Sequence, residues 1–436
     1  MQIKKITHKI FSCITIITCA TVYCAPSIAS ESDNNTFYAT IFIHGIVSIK
    51  PHLTLPNIVK FMRDKIAHTH YARTVEILRH DLFFYQQQAV GDMGLHKIDT
   101  CFSPNDVAPL FAHLCSAIAT HAGDTRNWHY YTFGWSGLLS PRMRYLEAAI
   151  LYQDLLTTFL PMLKEKKLFL RIIAYSHGGN VALKLADIFA KETKAEHQQL
   201  RINELALVGI PVLPETDYLI ASPLFETVYH FYSYGDRVQR MDCFSLNRMF
   251  SNRIFKSRSS FELPQKLKQV HLSIKKVAKN RVPPITSLAD KECAALCRRL
   301  LLRTADPGHS ELWSFGWIPS SYRIDSPIYP LPGAVFIPYL IALLQQQMDQ
   351  APHVLTELHP GYGCVQLYDY RGKKGSLHDF LPPGKMDQYR ALALQQKPAN
   401  FTKHEYNKRV LKAKQTARAE WRAERNIRWF GSGKKT

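Results

Sequence analysis

The spacing of apolar residues predicts an α/β protein: a doubly wound, mostly parallel sheet with a basic insertion in its second half and a basic helical tail. Three observations carry this. Short β-branched and aromatic runs, Phe37–Ile43, Trp128–Gly134, Leu168–Ala174, Ile202–Ile210 and Thr227–Tyr234, have the length of buried strands. Between them lie stretches with apolar residues at three- and four-residue spacing. Strands alternating with helices pair in parallel through crossovers that cover both faces of the sheet. Third, polar residues such as His44, Ser136, Ser176 and Asp236 stand just past the carboxyl ends of these runs, the edge where sites form in such sheets.

The chain opens with Lys4, Lys5 and Lys9, then the apolar stretch Ile10–Val22, then the small-x-small sequence Ser27-Ile28-Ala29. That order predicts a signal peptide over residues 1–29, hence an exported protein, periplasmic or secreted. The apolar stretch is short for a membrane span. Cleavage leaves six of the nine cysteines, Cys101, Cys115, Cys243, Cys293, Cys297 and Cys364, whose pairing the sequence leaves open. Residues 30–350 are expected to form the main domain, and 351–400 an extension of unassigned role. Composition is that of a globular protein, 46% hydrophobic and 11% aromatic. Gly333–Leu344 is apolar but short, and reads as packed core.

The remaining elements follow in order. Pro56–Ile66 reads as a helix with proline in its first turn, and Val75–Leu78 as a short strand. The polar and aromatic stretch through Phe83, Phe84, Tyr85, Met93 and Phe102 yields no assignment. Asp106–Thr120 is expected to be helical. Pro141–Lys164 reads as a long helix turning Leu146, Ile150, Leu155, Leu156 and Leu160 to the core, with Pro161 able to end it early. Val270–Ile274 is a further strand.

Leu168–Ala186 organises the whole. An apolar strand runs into Tyr175-Ser176-His177-Gly178-Gly179, and Val181, Leu185, Ile188 and Phe189 then recur at helical spacing. Strand, sharp turn with serine at its apex, and helix make a nucleophile elbow, here Ala174-x-Ser176-x-Gly178. The stretch resembles the elbow of α/β-hydrolases of the lipase and esterase branch, in which Ser-His-Gly-Gly is common. The resemblance covers about Phe37 to Gln350.

It implies a set of roles. The strand ending in His44-Gly45-Ile46 marks an oxyanion loop, which gives Ile46 one backbone donor and His177 the other, with His44 a structural residue. Chain order in such enzymes is serine, acid, histidine. Asp236 follows a strand two beyond the elbow strand. Asp242 is the rival acid, Asp187 and Asp217 are weaker ones, and a helix cap is the other role open to Asp236. His309, in Asp306-Pro-Gly-His-Ser-Glu-Leu-Trp313, resembles the family's histidine loop, with Gly308 letting the ring project and Glu311 or Ser310 steadying it. The basic insertion, residues 241–303, lies between acid and base. Residues 211–226, where a lid usually sits, are too few for a large one, so any cover is expected from Leu82–Ser103 or from the insertion.

The expectation is an exported serine hydrolase that cleaves carboxylic esters, lipid-like ones, through an acyl-enzyme and without cofactor or metal. Acyl transfer to an acceptor other than water, and a non-catalytic binding protein on the same fold, stay open. The formal net charge is +20 and is unevenly spread. Residues 237–303 hold sixteen Lys or Arg against four acids, and residues 401–436 eleven against three. In the tail, Tyr406, Val410, Ala413, Ala417 and Trp421 make an apolar stripe beside Arg409, Lys412, Arg418, Arg422 and Arg425. Cations beside such a stripe suit a helix lying on an anionic membrane, so 241–303 and 401–436 are the expected contacts. Packing of the stripe on the core, or a solvated tail, is the alternative. No nucleic-acid partner is expected.

Overall fold

The computed structural model describes residues 35–46, 64–66, 69–99, 101–102, 106–240, 251–277, 302–317, 322–370 and 374–431. The stretch expected to be a signal peptide and most of the helix expected at 56–66 lie outside these residues. The strands are β1 (Thr36–Ile43), β2 (Gly94–Lys97), β3 (Trp128–Gly134), β4 (Lys167–Tyr175), β5 (Ile202–Val208), β6 (Phe225–Tyr232), β7 (Leu267–Val277), β8 (Leu302–Thr304), β9 (His353–His359), β10 (Cys364–Asp369) and β11 (Lys374–Asp379). The helices are α1 (His70–Arg79), α2 (Ala108–Thr120), α3 (Pro141–Phe159), α4 (His177–Phe189), α5 (His309–Trp313), α6 (Ile337–Gln347), α7 (Lys385–Gln395) and α8 (Lys403–Gly431).

The sheet runs in the order β11-β10-β9-β7-β6-β5-β4-β1-β3-β2, and β8 pairs with β7 off that path. From β3 to β9 every pairing is parallel. Antiparallel β2 closes one end and antiparallel β10 and β11 the other. The chain is thus an α/β protein with a mostly parallel mixed sheet and interleaved helices. Because side chains alternate along a strand, the central strands feed two cores. Ile41, Ile43, Ile172 and Ala174 pack with α3 and α4. Phe42, Ile173, Tyr175 and Val208 pack with α1, α2 and α6. Gly333–Leu344 lies in the second core, as its composition suggested.

Several local readings need correction. Val75–Leu78 is not a strand but part of the second half of α1. The Thr69 hydroxyl caps that helix by accepting from the Ala72 amide, and Tyr71, Ala72, Val75 and Leu78 form its buried face. Two β-branched residues, Val75 and Ile77, made a helical stretch look extended. The polar and aromatic stretch after it is a 3-10 turn, Leu82–Gln86, followed by edge strand β2. Helix α3 ends at Phe159 and Pro161 opens a separate 3-10 turn. Leu146 and Ile150 do not face the core but are 43% and 47% exposed. Leu146 and Leu155 are about two and a half helical turns apart, so they cannot share a face. The buried stripe is Arg144, Ala148, Leu151, Leu155 and Phe159, with Glu147 and Tyr152 beside it.

The stretch after 350 continues the sheet: β9 pairs in parallel with β7, and β10 and β11 follow. Within 251–277 the insertion builds β7. Its cations Arg258, Lys268, Lys275 and Lys276 pair with Asp217, Asp349, Glu357 and Asp325. Residues 241–250 and 278–301 lie outside the described residues. Helix α8 lays its apolar stripe on the protein. Ala413 and Ala417 are buried, Tyr406 meets Phe84 edge-on, and Phe401 stacks on Phe83 at 4.4 Å. Arg409 reaches Asp81 at 2.8 Å. The stripe is therefore not open to a lipid interface, and what α8 exposes is its basic face. Among the described residues no helix is long and apolar enough to cross a membrane.

Candidate active site

Strand β4 delivers Tyr175 to the carboxyl edge of the sheet, and α4 begins at His177. Ser176 between them has φ 52° and ψ −132°, a region L-residues rarely adopt. Its backbone N–H donates to Val208 O at 2.9 Å, which ties the turn to the end of β5. The space around the turn is tight. A Cβ on Gly45 would stand 2.8 Å from Ser176 Cβ, and one on Gly178 would stand 2.2 Å from His44 O. Glycine at both positions therefore lets the 44–46 loop lie against the serine.

His44 holds that loop. It is buried, its Nε2 accepts from the Trp135 amide at 3.3 Å, and its carbonyl accepts from the Trp135 indole at 2.7 Å. Burial, helped by the charge of Arg79, holds its pKa down to about 3, so it stays neutral. A structural role suits these contacts. Ile46 lies two residues past His44 in this loop, and His177 lies at the first position of α4, beside Ser176.

His309 opens α5. Its Nε2 is 3.0 Å from Ser176 Oγ and its Nδ1 is 2.7 Å from Asp236 Oδ2. A carboxylate only accepts, so Nδ1 carries a proton, and in the neutral ring Nε2 accepts from the serine hydroxyl. Asp236 is fully buried. Its other oxygen, Oδ1, accepts from the amides of Val238 at 2.9 Å and Gln239 at 3.2 Å. The cap and the histidine contact, posed as alternatives from sequence, are thus both made, one by each oxygen. Asp217 is taken by Arg258 and Asp187 by Lys184. Asp242 lies outside the described residues.

The histidine and acid loops are fastened together. Ser233 Oγ donates to Pro307 O at 2.8 Å, and a Cβ on Gly235 would come within 2.2 Å of Asp306 O. Gly308, expected to free the ring, has φ −72° and ordinary room for a Cβ. The glycine that this junction requires is Gly235. Glu311 steadies the loop as expected. It accepts from the Gly308 amide at 2.7 Å and is held in turn by the Arg323 guanidinium at 2.7 Å.

Two residues that sequence reasoning missed complete the surroundings. Tyr175 donates its hydroxyl proton to His309 O at 2.9 Å and stacks flat on Trp313, with ring centroids 5.2 Å apart. Burial, then the Asp236 carboxylate, push its phenol well above the usual range. Arg144 donates from Nη1 to His177 Nδ1 at 2.8 Å. The signal for Arg144 was a cation in register with Ala148, Leu151 and Leu155 on a helix face bound for the core. The signal for Tyr175 was only its place beside the serine.

Chemically, a serine hydroxyl, an imidazole nitrogen within hydrogen-bond reach of it, and a buried carboxylate behind the ring can together remove a proton from the serine as it attacks. Among the described residues, no group of three or more His, Cys, Asp or Glu side chains could hold a metal ion. No protein-family model, no curated protein and no solved structure matches the chain.

Proposed function

We propose that the chain is an exported serine hydrolase on the α/β-hydrolase fold, of the lipase and esterase type, that cleaves carboxylic esters of lipid-like acids. The observation that carries this reading is the linked pair of contacts from His309, 3.0 Å to Ser176 Oγ and 2.7 Å to Asp236 Oδ2. Its support is the strained serine at a strand-to-helix turn and the chain order serine, acid, histidine.

In this reading Ser176 Oγ attacks the ester carbonyl carbon while His309 Nε2 takes the hydroxyl proton. The backbone N–H groups of Ile46 and His177 hold the oxyanion. Collapse expels the alcohol, which leaves with the proton from His309. Water then adds to the acyl-enzyme, giving one proton to His309. Release of the carboxylic acid returns that proton to Ser176. Asp236 keeps the imidazole in one tautomer and stabilises its cation.

The proposal extends to location. Lys408, Lys412, Arg418 and Arg422 are exposed on α8, and basic residues of this tail and of the insertion would hold the protein peripherally against anionic head groups. Each such cation contributes about 1 kcal/mol near an anionic leaflet. With the apolar stripe covered, that contact is electrostatic.

The test is labelling by a tagged fluorophosphonate, which reacts only with an activated serine, followed by a panel of nitrophenyl esters of rising acyl length. Labelling of the wild type that disappears in Ser176→Ala, with turnover rising with chain length, supports the reading. An unlabelled wild type removes it.

A further inference from the structure

We propose that Arg144 is a positioning residue for the oxyanion-binding segment and acts through the side chain of His177. This rests on the reading of Ser176 as nucleophile.

Arg144 lies in the buried stripe of α3 and is 4% exposed. Its Nη1 donates to Nδ1 of His177 at 2.8 Å, and His177 is 5% exposed. A guanidinium keeps its protons and offers no acceptor. The bond therefore requires a lone pair on Nδ1, which makes His177 neutral and places its ring proton on Nε2. Among the described residues, Arg144 from α3 and His309 from α5 bring charged or titratable groups to this ring. Burial first, then both of these, hold its pKa well below the usual range.

The placement matters because of what His177 follows. The Ser176–His177 peptide leaves a residue at φ 52°, and a strained conformation persists only where its surroundings over-determine it. The backbone N–H of His177 stands at the start of α4, beside the nucleophile. Arg144 ties the same residue's side chain to a second helix. An oxyanion donor works only when it is already aimed, and a misplacement of about 1 Å costs on the order of 10²-fold. With His177 neutral, the proton of the reaction is left to His309, whose Nε2 faces Ser176.

The experiment measures fluorophosphonate labelling rate, and kcat and KM on a nitrophenyl ester, in Arg144→Gln, Arg144→Lys, His177→Gln and the double variant Arg144→Gln/His177→Gln. The expected result is a fall in kcat and labelling of about 10- to 100-fold in Arg144→Gln with KM unchanged. Arg144→Lys recovers part of the loss, and the double variant is no slower than His177→Gln alone. Losses that multiply in the double variant overturn the proposal, as does Arg144→Gln at the wild-type rate. Should Arg144→Gln fail to fold, His177→Gln and Arg144→Lys decide. Lower kcat at constant KM in both supports the proposal, and wild-type kcat in both overturns it. Failure of the nucleophile reading looks different, because the wild type itself then goes unlabelled.

Discussion

Nδ1 of His309 lies 2.7 Å from Oδ2 of Asp236, although 73 positions of chain separate the two residues. The intervening chain makes this contact possible by joining the sheet. Strand β7 pairs beside β6, and β8 returns along β7. The Ala305 amide then donates to Ile274 O at 2.7 Å, and the next residues reach the acid loop. A long insertion is compatible with a short contact because its ends are pinned by neighbouring strands.

Ser176→Ala is expected to abolish labelling and to lower ester turnover about 10³-fold or more, with the fold retained. Ser176→Gly should be equally inactive but more stable than Ser176→Ala by about 1 kcal/mol, because glycine relieves the φ 52° strain. Denaturant titration of the two variants checks the second claim. Equal midpoints would refute it.

Asp236→Asn separates the two tasks of the carboxyl group. The amide oxygen can still accept from the Val238 and Gln239 amides, so the melting temperature should change little. An amide NH₂ toward Nδ1 imposes the wrong tautomer on His309, and kcat should fall about 10³- to 10⁴-fold. A large loss of stability with activity retained would assign Asp236 to capping alone.

Acid should destabilise the fold through buried neutral histidines. Burial lowers the pKa of His44 and of His230 to about 3 in each case. Unfolded, each titrates near 6.5. Between those values the unfolded chain binds more protons than the native one, so stability falls as pH falls from about 6.5 toward 3. In mid-window each group adds a slope of about 1.4 kcal/mol per pH unit. His230→Phe should remove one such slope in stability measured against pH between 4 and 6 (~two units). An unchanged slope would mean that His230 takes up its proton in the native state.

The packing of α8 is checked from its small residues. Ala413→Leu and Ala417→Leu should each destabilise by about 1–3 kcal/mol through overpacking. Leu411→Ala, at an exposed position of the same helix, should stay within about 0.5 kcal/mol of the wild type. Equal small effects at all three positions would detach the helix from the body.

Binding of the protein to vesicles should require anionic lipid, weaken with salt and drop when Lys412, Arg418 and Arg422 become glutamate. Equal binding to neutral vesicles would rule out an electrostatic contact.

The sequence by itself carried what is local. Runs such as Trp128–Gly134 and Leu168–Ala174 had the length and residue types of buried strands, and the glycines after Ser176 marked a turn into a helix. The three side chains singled out for the site, Ser176, Asp236 and His309, stand within hydrogen-bond reach of one another along that chain of contacts. Ser176 and Asp236 were legible because they follow the ends of strand-like runs, and Asp236 and His309 were picked out by the resemblance to α/β-hydrolases, which implies the order serine, acid, histidine. Tertiary structure alone decided the rest. The stripe on α8 showed that an apolar face needs covering, but α1 and Phe84 supply the cover from more than 300 (~) residues upstream, and no local pattern names a distant partner. The strands over 353–379 acquire their place only by pairing with β7. Arg144 and Tyr175 gain their contacts with His177 and His309 the same way. Spacing specifies which face of an element is buried, whereas the surface that buries it belongs to another part of the chain.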